Sequence, residues 1–182
     1  GDISISGGTV RIAVEAVDSY GGGCGIGPGM NYYTPSPSPS EGSLDSITIY
    51  GGTVDVTTKS VKLSSEHYAG AAIGNGRVAS GDGIIKITGS ANVKAVADVS
   101  AAIGGSSTPV TYGTTPSGKG GAVIIDGNAV VYAETTYDSS FQANFSGAAI
   151  GQGCMSWLDW EIKIGGSADV EAYAGPAGAT RD

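Results

Sequence analysis

Ile47-Thr-Ile-Tyr-Gly-Gly-Thr-Val54 is followed in the sequence by Gly70-Ala-Ala-Ile-Gly74. Both phrases return along the chain, and their return decides the fold. The first recurs as Ile3-Ser-Ile-Ser-Gly-Gly-Thr-Val10, Ile85-Lys-Ile-Thr-Gly-Ser-Ala-Asn-Val93, Ile124-Ile-Asp-Gly-Asn-Ala-Val-Val131 and Ile162-Lys-Ile-Gly-Gly-Ser-Ala-Asp-Val170. The second recurs as Gly23-Cys-Gly-Ile-Gly27, Ser100-Ala-Ala-Ile-Gly104 and Gly147-Ala-Ala-Ile-Gly151. Anchored on Ile5, Ile49, Ile87, Ile125 and Ile164, the first phrase repeats at intervals of 44, 38, 38 and 39 residues. Anchored on Ile26, Ile73, Ile103 and Ile150, the second repeats at 47, 30 and 47. Self-similarity at such a period is the mark of a stacked array of supersecondary units.

Within each phrase the apolar period is two. Ile-X-Ile, then glycine, then Val-X-Ala or Val-X-Val is alternation, so each half reads as a strand with one buried face. Glycine between the halves supplies the backbone freedom that a corner needs. The 32 glycines argue against helix throughout, since each costs about 1 kcal/mol relative to alanine inside one. The expected fold is therefore all-β: a parallel β-helix of about four and a half coils, with three short strands per coil. Its inward ladders are Ile5, Ile49, Ile87, Ile125 and Ile164, and Ile26, Ile73, Ile103 and Ile150. The same register stacks Arg11, Asp55, Lys94, Tyr132 and Glu171 on the outer face, where opposite charges side by side are favourable.

The near-constant interval is divided differently in successive repeats, and that locates the inserts. In the second and fourth repeats the excess runs from about Thr58 to Ala69 and from about Glu134 to Ser146, before the Ala-Ala-Ile-Gly phrase. In the first and third it follows that phrase, at Pro28 to Gly42 and Gly105 to Lys119. Proline and glycine mark these as loops, and Tyr33-Thr-Pro-Ser-Pro-Ser-Pro-Ser40 reads as extended.

Composition narrows the partners. A net charge of −8, with only nine lysines and arginines and no basic stripe, argues against nucleic acid and anionic membrane. No apolar run reaches 18 residues, so no membrane insertion is expected. The 182 residues are expected to form one domain, 1–182, cut from a longer protein with neighbouring domains, because the chain opens in one strand phrase and stops just after another.

Cys24 takes an alanine's place in its phrase and Cys154 lies three repeats further on. At one strand spacing per coil they stand about 14 Å apart, beyond the ~7 Å that a disulfide spans. Two free thiols are expected, and no metal or cofactor. A polysaccharide-cleaving β-helix would need paired carboxylates, or a calcium cluster with a basic residue. Arg11, Arg77, Arg181 and His67 are scattered, and the aspartates have no calcium-loop spacing. No catalytic residue is assigned.

The alternation of Gly-Ala-Ala-Ile-Gly with Ile-Thr-Ile-X-Gly-Gly-Thr-Val resembles the glycine-rich repeats of secreted or wall-anchored surface proteins of gut Firmicutes and related bacteria. There an Ala-Ile-Gly-Gly-Gly phrase alternates with Ile-Ser-Gly-Gly-Thr-Val. The resemblance spans nearly the whole chain. It implies an exported, cell-surface protein with a right-handed β-helix of the broad pectate-lyase-like class, and it carries no catalytic motif. Long aromatic inserts depart from the family pattern.

Those inserts hold most of the aromatic residues. Flat rings beside acidic and amide groups suit sugar recognition. Trp157, Trp160, Tyr137, Tyr32 and Tyr33 are the candidate ligand-binding residues, with Trp157 and Trp160 as a lid or platform. The expected function is a non-enzymatic structural or adhesive module that displays loops to a polysaccharide or a host-surface glycan. The alternatives are a carbohydrate-binding module with a defined aromatic site and a polysaccharide lyase or hydrolase-like domain.

Overall fold

The computed structural model describes residues 1–15, 23–28, 44–59, 70–76, 83–106, 118–136, 147–153 and 158–175. Among them every regular element is a strand, and every strand pair is parallel. One sheet holds β1 (Asp2–Ile5), β3 (Ser46–Ile49), β6 (Ile84–Ile87), β9 (Gly118–Ile125) and β12 (Leu158–Ile164), in that order. A second holds β2 (Thr9–Glu15), β4 (Thr53–Lys59), β7 (Asn92–Ala97), β10 (Val130–Thr135) and β13 (Asp169–Tyr173). A third holds β5 (Ile73–Gly74), β8 (Ile103–Gly104) and β11 (Ile150–Gly151), extended by a bridge from Ile26 to Ile73. The chain visits the first, second and third sheets in turn and then returns to the first, one strand further along. No helix among the described residues is long and apolar enough to cross a membrane.

Pairing follows the sequence anchors. Ile5 stands beside Ile49, Ile49 beside Ile87, Ile87 beside Ile125 and Ile125 beside Ile164. Ile26, Ile73, Ile103 and Ile150 form the corresponding row on the third sheet. These rows enclose an interior of isoleucine, valine and alanine in which Ile49, Ile73, Ile87, Ile103 and Ile125 are fully buried. The ladder opens toward its ends. Ile5 is half-buried, and Ile164, expected to be an inward core residue, is 55% exposed because no further strand covers it among the described residues.

The interior is fitted by size. At one inward position of the second sheet the chain places Ile12, Val56, Ala95, Ala133 and Ala172 in register. Across from the bulky Val56 the first copy of the second phrase has Gly25 where later copies have alanine, and a Cβ there would run into Val56 Cγ1. Interiors packed to crystal-like density make such compensation necessary.

Three strands run further than the sequence suggested. β4 extends to Lys59 and β10 to Thr135, so Thr58, Glu134 and Thr135 belong to strands and not to inserts. The buried Thr58 and Thr135 hydroxyls donate to the carbonyls of Gly70 and Gly147, at 3.5 and 3.1 Å. Each bond ties the two ends of an insert together and satisfies a buried polar group. The third is β9, which begins at Gly118 within an expected loop.

The outer face carries Arg11, Asp55, Lys94, Tyr132 and Glu171 on successive strands, in register. None of the first three forms an ion pair among the described residues; the side-chain ion pairs found there join Lys86 to Asp126 at 3.6 Å and Lys163 to Glu161 at 2.9 Å. The expectation that charge pairing occupies this face is therefore corrected. Long side chains on a solvated sheet gain little from holding one geometry.

Candidate functional site

Of the expected ligand-binding residues, Tyr32, Tyr33, Tyr137 and Trp157 lie outside the described residues, as do His67, Arg77, Arg181 and Cys154. Trp160 is described, and its surroundings are specific. It sits in β12 where the register shifts between Asp159 and Glu161, so that Gly120 and Gly121 of β9 oppose this one residue. Parallel bulges of this kind are rare and re-aim a side chain. The indole lies half-buried against the core cluster, over a floor of glycine. A Cβ on Gly120 would come 2.6 Å from Trp160 Cδ1, and one on Gly121 would come 2.9 Å from Cζ3. The Gly-Lys-Gly-Gly run at 118–121 thus makes room for the ring, and the ring gives the glycine strand its packing. Among the described residues, Trp160 Nε1 is buried without a hydrogen-bond partner, as is Asn75 Oδ1.

The most developed polar and aromatic cluster on the described surface is one that sequence reading treated only as part of a charge row. Register sets Tyr132 beside Glu171 and Glu134 beside Tyr173, a checkerboard of two rings and two carboxylates. The rings meet along the diagonal, with centroids 5.6 Å apart and planes tilted by 42°. Each phenol reaches along its own strand, Tyr132 donating to Glu134 Oε2 at 2.7 Å and Tyr173 donating to Glu171 Oε2 at 3.3 Å. The hydrogen bond to Glu134 is the main cause that raises the Tyr132 pKa; for Tyr173 it is the negative charge of Glu171. Both phenols therefore stay protonated as donors through neutral pH. The signal was present in the sequence: aligning Val131-Tyr-Ala-Glu134 with Val170-Glu-Ala-Tyr173 places the rings on diagonal positions, within reach for aromatic side chains.

This patch can do two things chemically. Its carboxylates accept hydrogen bonds from hydroxyls or pair with cations, and its tilted rings offer edges and faces but no coplanar platform. No group of three or more histidine, cysteine, aspartate and glutamate side chains suited to a metal ion occurs among the described residues. Comparison finds no matching protein-family model, no matching curated protein and no matching solved structure.

Cys24 is a free thiol. It donates to the carbonyl of Pro28 at 2.7 Å, and burial pushes its pKa up from 9.0 to about 12. The folded state therefore holds the proton more tightly than the unfolded chain does. Its contribution to stability is complete below pH 9 and is lost as pH rises toward about 12, by up to ~1.4 kcal/mol per unit. Denaturant melts at pH 8 and pH 10.5 should show a smaller fall in stability for Cys24→Ala than for the parent. Alanine already fills this place in the later copies, and the comparison removes the shared effect of the tyrosines. Equal falls would show that the thiol ionises freely.

Proposed function

We propose that the chain is a right-handed parallel β-helix serving as a non-enzymatic structural and adhesive module of an extracellular bacterial surface protein. Each circuit of the three sheets is then one coil, and each return to a sheet is a parallel crossover of the hand that such connections take almost without exception. In this reading the wall is a rigid rack, and the inserts are what it presents to a polysaccharide or a host-surface glycan.

One observation carries the proposal: the insert segments leave the sheets at stacked points. Glu15 and Lys59, after which segments 16–22 and 60–69 begin, are direct partners in the second sheet. Thr135, one residue short of the end of its described stretch, pairs with Ala97. On the third sheet Gly74, Gly104 and Gly151 stand in one row, two residues before the described stretches end. Thr58 and Thr135 clamp the bases of two inserts. Binding residues placed on loops that a rigid scaffold aligns are the usual arrangement for recognition, and the aromatic residues of this sequence are concentrated in those segments.

A glycan array followed by polysaccharide pull-down tests the reading. The full chain should retain at least one glycan, and shortening segments 60–69 and 137–146 should abolish retention while the melting temperature is kept. Trp160→Ala serves as the packing control: filling a glycine floor and touching the core, it should lower stability by about 2–3 kcal/mol. Release of new reducing ends from a retained polysaccharide, or retention unchanged by insert shortening, would overturn the proposal.

A further inference from the structure

On the outer face of the second sheet, where β10 meets β13, two rings and two carboxylates form a square. Tyr132 stands beside Glu171 and Glu134 beside Tyr173. The rings hold one diagonal, in contact at 5.6 Å between centroids, and the carboxylates hold the other, one on each side of the ring pair. Each glutamate accepts a phenol through Oε2, at 2.7 Å for Glu134 and 3.3 Å for Glu171. Those bonds tether the rings, and the second oxygen of each carboxylate keeps its capacity to accept. Charge on this face is one-sided. Asp169 follows the same outward alternation as Glu171, so β10 and β13 turn three carboxylates outward against one ammonium on β7, that of Lys94 beside Tyr132. Lys94 forms no ion pair with them among the described residues. The face is lateral to the stack: a strand added beyond β13 would lie beside it and leave the outward side of the patch open. Past Tyr173 the chain stays at the wall, where Gly175 N–H donates to Thr135 Oγ1 at 3.2 Å. Tyr173 is 52% exposed, and Tyr132 and Glu134 are half-buried.

We propose that this patch binds the guanidinium of an arginine side chain presented by a partner protein. A sugar ring finds no flat platform here, because the two rings are tilted by 42° to each other. A cation is drawn by the ring faces and by the carboxylates together. Among cations, guanidinium fits the layout. It is planar, it stacks on aromatic faces, and its donors point outward in its own plane. Laid on the tyrosines, it donates to Glu134 on one side and to Glu171 on the other. A lysine ammonium is a compact point charge and serves one carboxylate at a time. A quaternary ammonium uses the rings but has no proton to donate. The apolar surroundings favour a side chain over a free small cation. Val96 beside Glu134, and Val130 beside Asp169 at 48% exposed, offer surface to an aliphatic stem and to its neighbours in a peptide. The site lies on the wall and not on the inserts, so it stands or falls separately from glycan binding.

The test titrates acetyl-Gly-Arg-Gly-amide onto the full chain, followed by NMR, beside the same peptide with citrulline in place of arginine. Saturable shifts are expected at Tyr132, Glu134, Glu171 and Tyr173, with a dissociation constant of about 1–10 mM, the strength of an exposed cation–ring contact joined to exposed ion pairs. Citrulline keeps the shape without the charge and should bind at least about tenfold more weakly. The double variant Glu134→Gln with Glu171→Gln keeps an acceptor for each phenol, so the rings hold their place, and it should weaken binding by about three- to tenfold. Tyr173→Ala, at an exposed position, should weaken it by about two- to fivefold, while Tyr173→Phe, which keeps the ring, should stay within about twofold of the parent. Equal binding of the citrulline peptide, shifts confined to other residues, no saturation by about 50 mM peptide, or full binding by Tyr173→Ala would overturn the proposal. Tighter binding of a trimethyllysine peptide than of the arginine peptide would overturn the choice of guanidinium.

Discussion

Gly104→Ala is expected to unfold the chain or to lower its stability by roughly 3 kcal/mol or more. Two costs coincide there. The backbone φ is +133°, a conformation that residues with a side chain rarely adopt, and an added Cβ would run into the carbonyl oxygen of Gly151 on the next strand. Neither neighbour can retreat, because Gly105 N–H holds that carbonyl at 2.8 Å and Ile103 beside it is fully buried. Two further substitutions separate the causes. Gly8→Ala meets a φ of +82° but nothing within 4 Å, so it should cost only the ~1–2 kcal/mol of the backbone conformation. Gly165→Ala meets neither obstacle and should stay within about 0.5 kcal/mol of the parent. Urea melts followed by circular dichroism rank the three, and Gly104→Ala as stable as Gly165→Ala would refute the close approach of the third-face strands.

The register was legible because the repeats state it several times over. An isoleucine at Ile49 says little alone; Ile5, Ile87, Ile125 and Ile164 in the same phrase say which residues become partners. What repetition could not reveal is what one coil does differently from the others. Gly118 to Gly121 looks like a loop because its strand character comes from pairing with β12 and from the Trp160 ring above it, both distant in sequence. Trp160 itself looked like an exposed platform, since the bulge that turns it onto the wall is a one-residue mismatch between strands and leaves no local trace. The extra length of β4 and β10 depends on hydroxyl bonds from Thr58 and Thr135 to carbonyls twelve residues away. The Tyr132–Tyr173 contact is diagonal, so it emerges only once two phrases are laid side by side with their alternation intact.

Ile87→Ala should cost about 2–5 kcal/mol, the second large effect. Ile87 is fully buried, with Ile49 and Ile125 fully buried on either side, so the cavity left by the deleted atoms has walls that cannot collapse far. The same substitution at half-buried Ile5 should cost less, and at Ile164, 55% exposed, less than about 1 kcal/mol. The gradient separates position in the stack from residue type, since all three are isoleucines at one place in the repeat. Equal losses in denaturant melts would contradict the enclosed ladder.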